Sequence, residues 1–188
     1  DMDGNTPLAK LKVHNEAINA IVFSPDSLIA AVASADGTIS LVDVSTSEIL
    51  HHFEGHEGAV LDVAFSPDGQ QLVSGGSTAL IILWDVASGE TLKTFTGHAD
   101  FVSGVAFVDE GAAIASGSGD LSLRKWDIAT GEQLQLREIG ATVEGMALGP
   151  DGHNIIHFVD HVILLWDPRQ FDGTHNQLLG HEGQINDI

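Results

Sequence analysis

Residues 55–98 read GHEGAVLDVAFSPDGQQLVSGGSTALIILWDVASGETLKTFTGH. Two Gly-His pairs, Gly55-His56 and Gly97-His98, bracket four short apolar runs separated by turn residues. The first run, 59–66, stops at Pro67-Asp68-Gly69, where Pro fixes φ and Gly permits a positive φ. The second, 71–75, passes through a hairpin of small residues into the third, 80–85. Ala87-Ser88-Gly89-Glu90 then turns the chain into the fourth, 91–96. Leu80-Ile81-Ile82-Leu83-Trp84 is apolar without interruption, the pattern of a strand covered on both faces. Thr91-Leu92-Lys93-Thr94-Phe95-Thr96 alternates, the pattern of an outer strand with one face in water. A four-stranded antiparallel sheet, buried inside and wet at its rim, is the expected unit.

Outward from this segment the same unit recurs with a period of 42. His14, His56 and His98 form one column, continued by Gly140 and by Gly180-His181. Asp43, Asp85, Asp127 and Asp167 form a second, preceded by Val42, Trp84, Trp126 and Trp166. The turn column runs Ser24-Pro25-Asp26, Ser66-Pro67-Asp68-Gly69, a degenerate Val108-Asp109-Glu110-Gly111, and Gly149-Pro150-Asp151-Gly152. Sheets of this kind, repeated radially, build propeller blades. The predicted fold is therefore all-β, with four propeller blades of four antiparallel strands and the start of a further repeat.

Composition narrows the function. The 188 residues carry 7 basic and 27 acidic side chains, a net charge of −20. That balance speaks against binding a phosphate backbone or an anionic membrane surface. With no Cys, disulfides, thiolate metal sites and cysteine nucleophiles are excluded, and the redox compartment stays open. No apolar stretch reaches the length of a membrane-spanning helix.

The columns resemble those of the Trp-Asp (WD) repeat β-propellers, over nearly the whole chain. The most specific match is Gly55-His56 followed by Trp84-Asp85, repeated as Gly97-His98 followed by Trp126-Asp127. The phrases Phe-Ser-Pro-Asp-Gly and Trp-Asp-Val-Ala-Ser-Gly-Glu are closest in idiom to bacterial members. The resemblance implies a hydrogen-bonded set of His, Ser or Thr, Asp and Trp in each blade. The third repeat supplies all four, as His98, Ser116, Asp120 and Trp126. The second has His56, Ser74 and Trp84, with Thr78 at the Asp position. The first keeps His14 and Asp36, with Val32 and Val42 at the other two positions; the fourth keeps Asp160 and Trp166, with Gly140 and Ile156. Blades one and four are accordingly expected to lack the buried polar network and to rely on apolar packing.

The repeats divide the chain into an N-terminal segment with an outer strand (1–13), repeats at 14–55, 56–97, 98–139 and 140–180, and the opening of a fifth (181–188). The resemblance implies that these blades belong to a ring of seven or eight, or that two copies close an eight-blade ring; a small self-contained ring is the third option. It also implies a non-enzymatic scaffold or adaptor that binds protein or peptide partners; the acidic charge, spread along the chain, either keeps the surface solvated or suits a basic partner. The alternative is a propeller regulating an enzymatic domain elsewhere.

His98, Ser116 and Asp120 carry the residue types of a hydrolase triad, but a mid-strand Ser repeated in a second blade reads as structure, so no catalytic residue is assigned. His157, Asp160 and His161, with His153 nearby and His51-His52 apart, match no established ligand spacing. Asp1-Met2-Asp3-Gly4-Asn5 lacks the regular oxygen ligands of a calcium loop. No metal or cofactor is expected. The resemblance implies a partner site on the face made by the loops entering the inner strands and the hairpins between second and third strands. Phe101 stands out there, because its column otherwise holds Ala17, Ala59, Thr142 and Gln184. Asp100, Glu57, Glu16 and His161 share that face.

Overall fold

The computed structural model describes residues 11–149, 155–159, 162–167 and 176–178. Among the described residues, sixteen strands form four separate antiparallel sheets, each built from four strands consecutive in sequence. Blade 1 holds β1 (Ile18–Phe23), β2 (Ile29–Ser34), β3 (Thr38–Asp43) and β4 (Ile49–Glu54). Blade 2 holds β5 (Val60–Phe65), β6 (Gln71–Gly76), β7 (Ile81–Asp85) and β8 (Thr91–Phe95). Blade 3 holds β9 (Val102–Val108), β10 (Ala113–Ser118), β11 (Ser122–Asp127) and β12 (Gln133–Glu138). Blade 4 holds β13 (Gly145–Leu148), β14 (Ile155–Val159), β15 (Val162–Trp166) and β16 (Asn176–Leu178). The architecture is a β-propeller of antiparallel four-stranded blades, as the repeat predicts.

Two recurring turns explain why the strands stop where they do. After β5, Ser66 Oγ donates to Asp68 Oδ1 (2.6 Å), which also accepts the Gln70 N–H, while Gly69 adopts a φ of 72°. After β7, Asp85 Oδ1 accepts the backbone N–H and hydroxyl of Ser88, both at 2.8 Å. Asp43 and Asp127 cap the corresponding turns of blades 1 and 3. These hydrogen bonds hold the three exposed carboxylates below the usual carboxylate range. The Asp of Trp84-Asp85 and of Trp126-Asp127 is thus a turn cap, and the Trp before it is buried in the core.

The core lies at the seams between blades. Ala31, Ala33, Ile39, Leu41 and Phe53 of blade 1 pack against Val60, Val63, Leu72, Ile82 and Trp84 of blade 2. The same arrangement joins Ile81, Leu83 and Phe95 to Val102, Val105 and Trp126, and Ala115 and Leu123 to Val143, Ile155 and Trp166. Blades 1 to 3 therefore each offer a trailing face to the next blade, and blades 2 to 4 a leading face, bearing the Trp, to the one before.

The degenerate turn of blade 3 has a partner across the sheet. Leu41, Leu83 and Leu165 occupy one position of the third strands; in blade 3 that position is Lys125, only 7% exposed. Its ammonium pairs with Asp109 Oδ2 at 2.6 Å, and Asp109 opens a short 3₁₀ turn, Asp109–Gly111. The Pro-Asp-Gly sequence is lost where an anion is needed to meet a buried cation.

Candidate functional site

The His columns sit where each blade's entry loop meets the hairpin between its second and third strands. In blade 3 the chain of hydrogen bonds is complete. Trp126 Nε1 donates to Ser116 Oγ (2.8 Å), Ser116 Oγ lies 2.8 Å from His98 Nε2, and His98 Nδ1 lies 2.9 Å from Asp120 Oδ2. The Asp120 carboxylate can only accept, so the imidazole carries its proton on Nδ1, and Nε2 accepts from the Ser116 hydroxyl, whose oxygen in turn accepts the indole N–H. Burial lowers the His98 pKa; the Asp120 carboxylate opposes that shift. Burial pushes Asp120 upward, but donors from Ser122, His98 and the Ala99 N–H outweigh it and hold the group well below the usual range. Arg124 Nη2 adds a fourth contact at 3.1 Å. Ser116 is fully buried and its oxygen already accepts the Trp, so this set pins the loop to the hairpin and offers no accessible nucleophile.

Blade 2 repeats the inner half: His56 Nε2 to Ser74 Oγ, and Trp84 Nε1 to Ser74 Oγ, both 2.8 Å. With Thr78 at the Asp position, the buried His56 Nδ1 has no hydrogen-bond partner, and desolvation lowers this imidazole's pKa to about 4.

Blades 1 and 4 depart from expectation. Blade 1 keeps a polar network despite Val32 and Val42. His14 Nδ1 lies 3.0 Å from Asp36 Oδ2, and Nε2 lies 3.1 Å from the carbonyl of Val32, so a backbone oxygen takes the place of the Ser hydroxyl. Burial raises the Asp36 pKa, yet bonds from Thr38 and His14 prevail and bring it down to about 2. Ser40 Oγ and His52 Nδ1 add a second contact at 3.0 Å. In blade 4 the register assigns the Ser position to His157 rather than Ile156. Leu72 pairs with Trp84 and Ser74 with Ile82; Ile155 pairs with Trp166 and His157 with Leu164. His157 is fully buried. Asp160, His161, His153, Asp1-Met2-Asp3-Gly4-Asn5 and the fifth repeat lie outside the described residues. Among the described residues, no group of three His, Asp or Glu side chains is placed to hold a metal ion.

On the loop face, Glu16, Glu57 and Asp100 are exposed in three successive entry loops. Phe101 is partly buried, and it packs on the hairpin of its own blade. Gly119 N–H donates to the Phe101 carbonyl (2.9 Å), and a Cβ on Gly119 would stand 2.5 Å from the Phe101 ring. The matching loop and hairpin residues are Ala17 with Ala35 and Ala59 with Ser77. The hairpin residue shrinks to glycine where the loop residue grows to Phe, a pairing visible in the sequence once the two columns are set side by side.

Further polar residues tie neighbouring inner strands together. Asn19 Nδ2 donates to the Val60 carbonyl (2.7 Å), Asp62 Oδ2 accepts the Val105 N–H (2.8 Å), and Ser103 Oγ donates to the Val143 carbonyl. These inner strands border a cavity of about 920 Å³. The basic side chains Lys93 and Lys125 are anchored at the opposite end of the blades, Lys93 on the carbonyls of Ile128 and Ala129.

The chain is similar to the solved structures of U3-55K and of the RRP9 WD40 repeats. Each is 29% identical with a TM-score of 0.84 over 94% of this chain, covering 56% and 55% of theirs. This chain thus spans little more than half the length of those structures. No curated protein matches it. The WD domain, G-beta repeat model matches at residues 5–43, 47–85 and 89–127, each match ending on the Asp that caps a blade's last turn. With that turn, the His-anchored hairpins and the antiparallel blades all in place, the chain belongs to the WD-repeat (WD domain, G-beta repeat) family.

Proposed function

We propose that this chain is a non-enzymatic protein-interaction scaffold that receives a basic segment of its partner on the loop face. The observation that carries the reading is an exposed acidic loop face with an aromatic anchor on it. Glu16, Glu57 and Asp100 are exposed in three successive entry loops, Asp100 directly before the half-buried Phe101. An aromatic ring held on a glycine shelf is a rigid apolar anchor, and the flanking carboxylates suit Lys or Arg side chains. Membership of the family supports a binding role over a catalytic one. Phe101 and Asp100 form the centre of the proposed site, with Glu57 and Glu16 at its edge; His161 is proposed to complete it from blade 4.

The test is fluorescence anisotropy with a panel of synthetic Lys/Arg-rich peptides carrying one apolar residue. Phe101→Ala and the charge reversal Asp100→Lys are each expected to weaken the best binder about tenfold or more, with the folded state retained at the assay temperature as read by circular dichroism. Equal affinity for wild type and both variants removes the loop face from the proposal.

A further inference from the structure

Leu121, in the hairpin between β10 and β11, has a φ of 68°, a left-handed conformation that disfavours a large branched side chain. Among the described residues, the other non-glycine residues with positive φ are Ser27, Ser47, Ala79, Asp109 and Glu110, all small or polar. The equivalent positions of blades 1 and 2 hold Gly37 (φ 87°) and Ala79 (φ 64°). Burial does not account for the leucine, which is 41% exposed. An exposed leucine is ordinary in itself; one held in a conformation suited to glycine points to a function. The next entry loop shows why it stays open. A Cβ on Gly37 would stand 3.1 Å from the His56 carbonyl oxygen and 3.2 Å from that of Gly58, so the loop of blade 2 crowds this position of blade 1. The Leu121 carbonyl accepts the Ile139 N–H (2.9 Å), and the loop of blade 4 continues at Gly140, where a Cβ would meet nothing within 4 Å. That loop has glycine in the His column, and Leu121 beside it remains exposed.

The same hairpin carries the Phe101 ring on Gly119, two residues before Leu121. Ser118 Oγ donates to the Asp100 carbonyl (3.0 Å), and the Asp120 carboxylate accepts the N–H and hydroxyl of Ser122. Entry loop and hairpin thus form one unit that holds both apolar side chains in place before a partner arrives. We propose that Leu121 is a second apolar contact of the loop face, and that the partner segment is extended, with two apolar residues separated by one and Lys or Arg on either side. This rests on the loop-face reading above and specifies its ligand. The spacing follows from chain geometry. The Cα atoms of Gly119 and Leu121 are at most about 7–8 Å apart. Residues i and i+2 of an extended segment lie on one side of it, about 7 Å apart. Phe101 and Leu121 therefore meet alternate side chains of one segment, while the side chain between them turns to solvent. Exposed Asp100, next to Phe101, and Glu57 in the neighbouring loop suit the basic flanks.

Fluorescence anisotropy with the labelled peptide Lys-Arg-Leu-Ser-Leu-Lys-Arg, and with each of its leucines changed in turn to Ser, tests this. The wild type is expected to bind the two-leucine peptide about tenfold more tightly than either single-leucine peptide. Leu121→Asn introduces a residue that tolerates positive φ. It is expected to lose about tenfold with the two-leucine peptide and nothing with one of the single-leucine peptides. Phe101→Ala is expected to show the same pattern with the other single-leucine peptide. Circular dichroism at the assay temperature verifies the fold; should Leu121→Asn lose it, Leu121→Ala, which restores the residue of blade 2, takes its place. A Leu121 variant that binds all three peptides as the wild type does, or loses equally with all three, overturns the proposal. A wild type that binds one-leucine and two-leucine peptides equally also overturns it, and in each of these cases a loss with Phe101→Ala leaves the loop-face reading standing. Affinity unchanged in both variants, or no saturable binding by the wild type, overturns both.

Discussion

Blade 2 lacks one acceptor, and supplying it should stabilise the protein by a calculable amount. His56 Nδ1 is buried without a partner because Thr78 stands where Asp36 and Asp120 stand in the neighbouring blades. A buried polar group left unpaired costs about 1–3 kcal/mol. Thr78→Asp places a carboxylate at the position that Asp120 occupies 2.9 Å from His98. Ala79 and Leu121, the residues that follow, share nearly the same φ, 64° and 68°, so the hairpin accepts Asp without rearranging. Part of the gain is offset because Asp120 is also relieved by the Ser122 hydroxyl and by Arg124, whereas blade 2 has Leu80 and Ile82 there. The single substitution is therefore expected to add about 1 kcal/mol, and Thr78→Asp with Leu80→Ser about 2 kcal/mol. For a chain of this size each kcal/mol raises Tm by about 2–4 °C.

The pH dependence gives an independent check. His56 has a pKa of about 4 in the folded protein against an unfolded value of about 6.5, so between these values the unfolded chain binds more protons. Stability contributed by neutral His56 is fully present above pH 6.5 and is lost as pH falls towards 4, by about 3 kcal/mol in all. The new carboxylate raises the His56 pKa, so the variant's advantage grows from pH 7 to pH 5. Thermal unfolding followed by circular dichroism at both pH values measures this. The decisive control is the cycle with His56→Asn: if Thr78→Asp stabilises that background as much as the wild type, the carboxylate is acting elsewhere and the reasoning fails.

Two further predictions rest on departures from the repeat. Asp109→Ala leaves the buried Lys125 ammonium without its carboxylate and is expected to cost about 2–3 kcal/mol, whereas Lys125→Leu, which restores the residue of the other blades, is expected to be neutral or stabilising; chemical denaturation of both variants tests the asymmetry. Ser27 and Ser47 adopt a φ of 61° at positions where blades 2 and 3 use glycine, so Ser27→Gly and Ser47→Gly are each expected to add about 0.5–1 kcal/mol in the same assay, and a loss on both substitutions refutes the strain argument.

The sequence by itself determined the blade and its repetition. Strand alternation, the uninterrupted apolar third strand, and the Pro-Asp-Gly and Asp-Val-Ala-Ser-Gly turns are local properties, written within a dozen residues of where they act. The His98, Ser116, Asp120 and Trp126 set was legible too, through the resemblance of the repeat to the WD family, which implies these four residue types at these positions of a blade. Tertiary structure decided what depends on partners across a strand or across a seam. Counting along the chain placed Ile156 in the Ser position; cross-strand pairing with Trp166 places His157 there, since the blade 4 hairpin is one residue shorter. Val32 looked like the loss of a network, but its carbonyl serves His14, and a backbone oxygen is present whatever the side chain. Lys125 and Asp109 read as two unrelated irregularities until the sheet set them 2.6 Å apart. Asn19, Asp62 and Ser103 meet backbone groups about 40 residues away on the next blade, a distance at which no local pattern survives. Burial shows the same limit: Ile21 and Val63 are equivalent by sequence, and only the presence or absence of a neighbouring blade makes one exposed and the other buried.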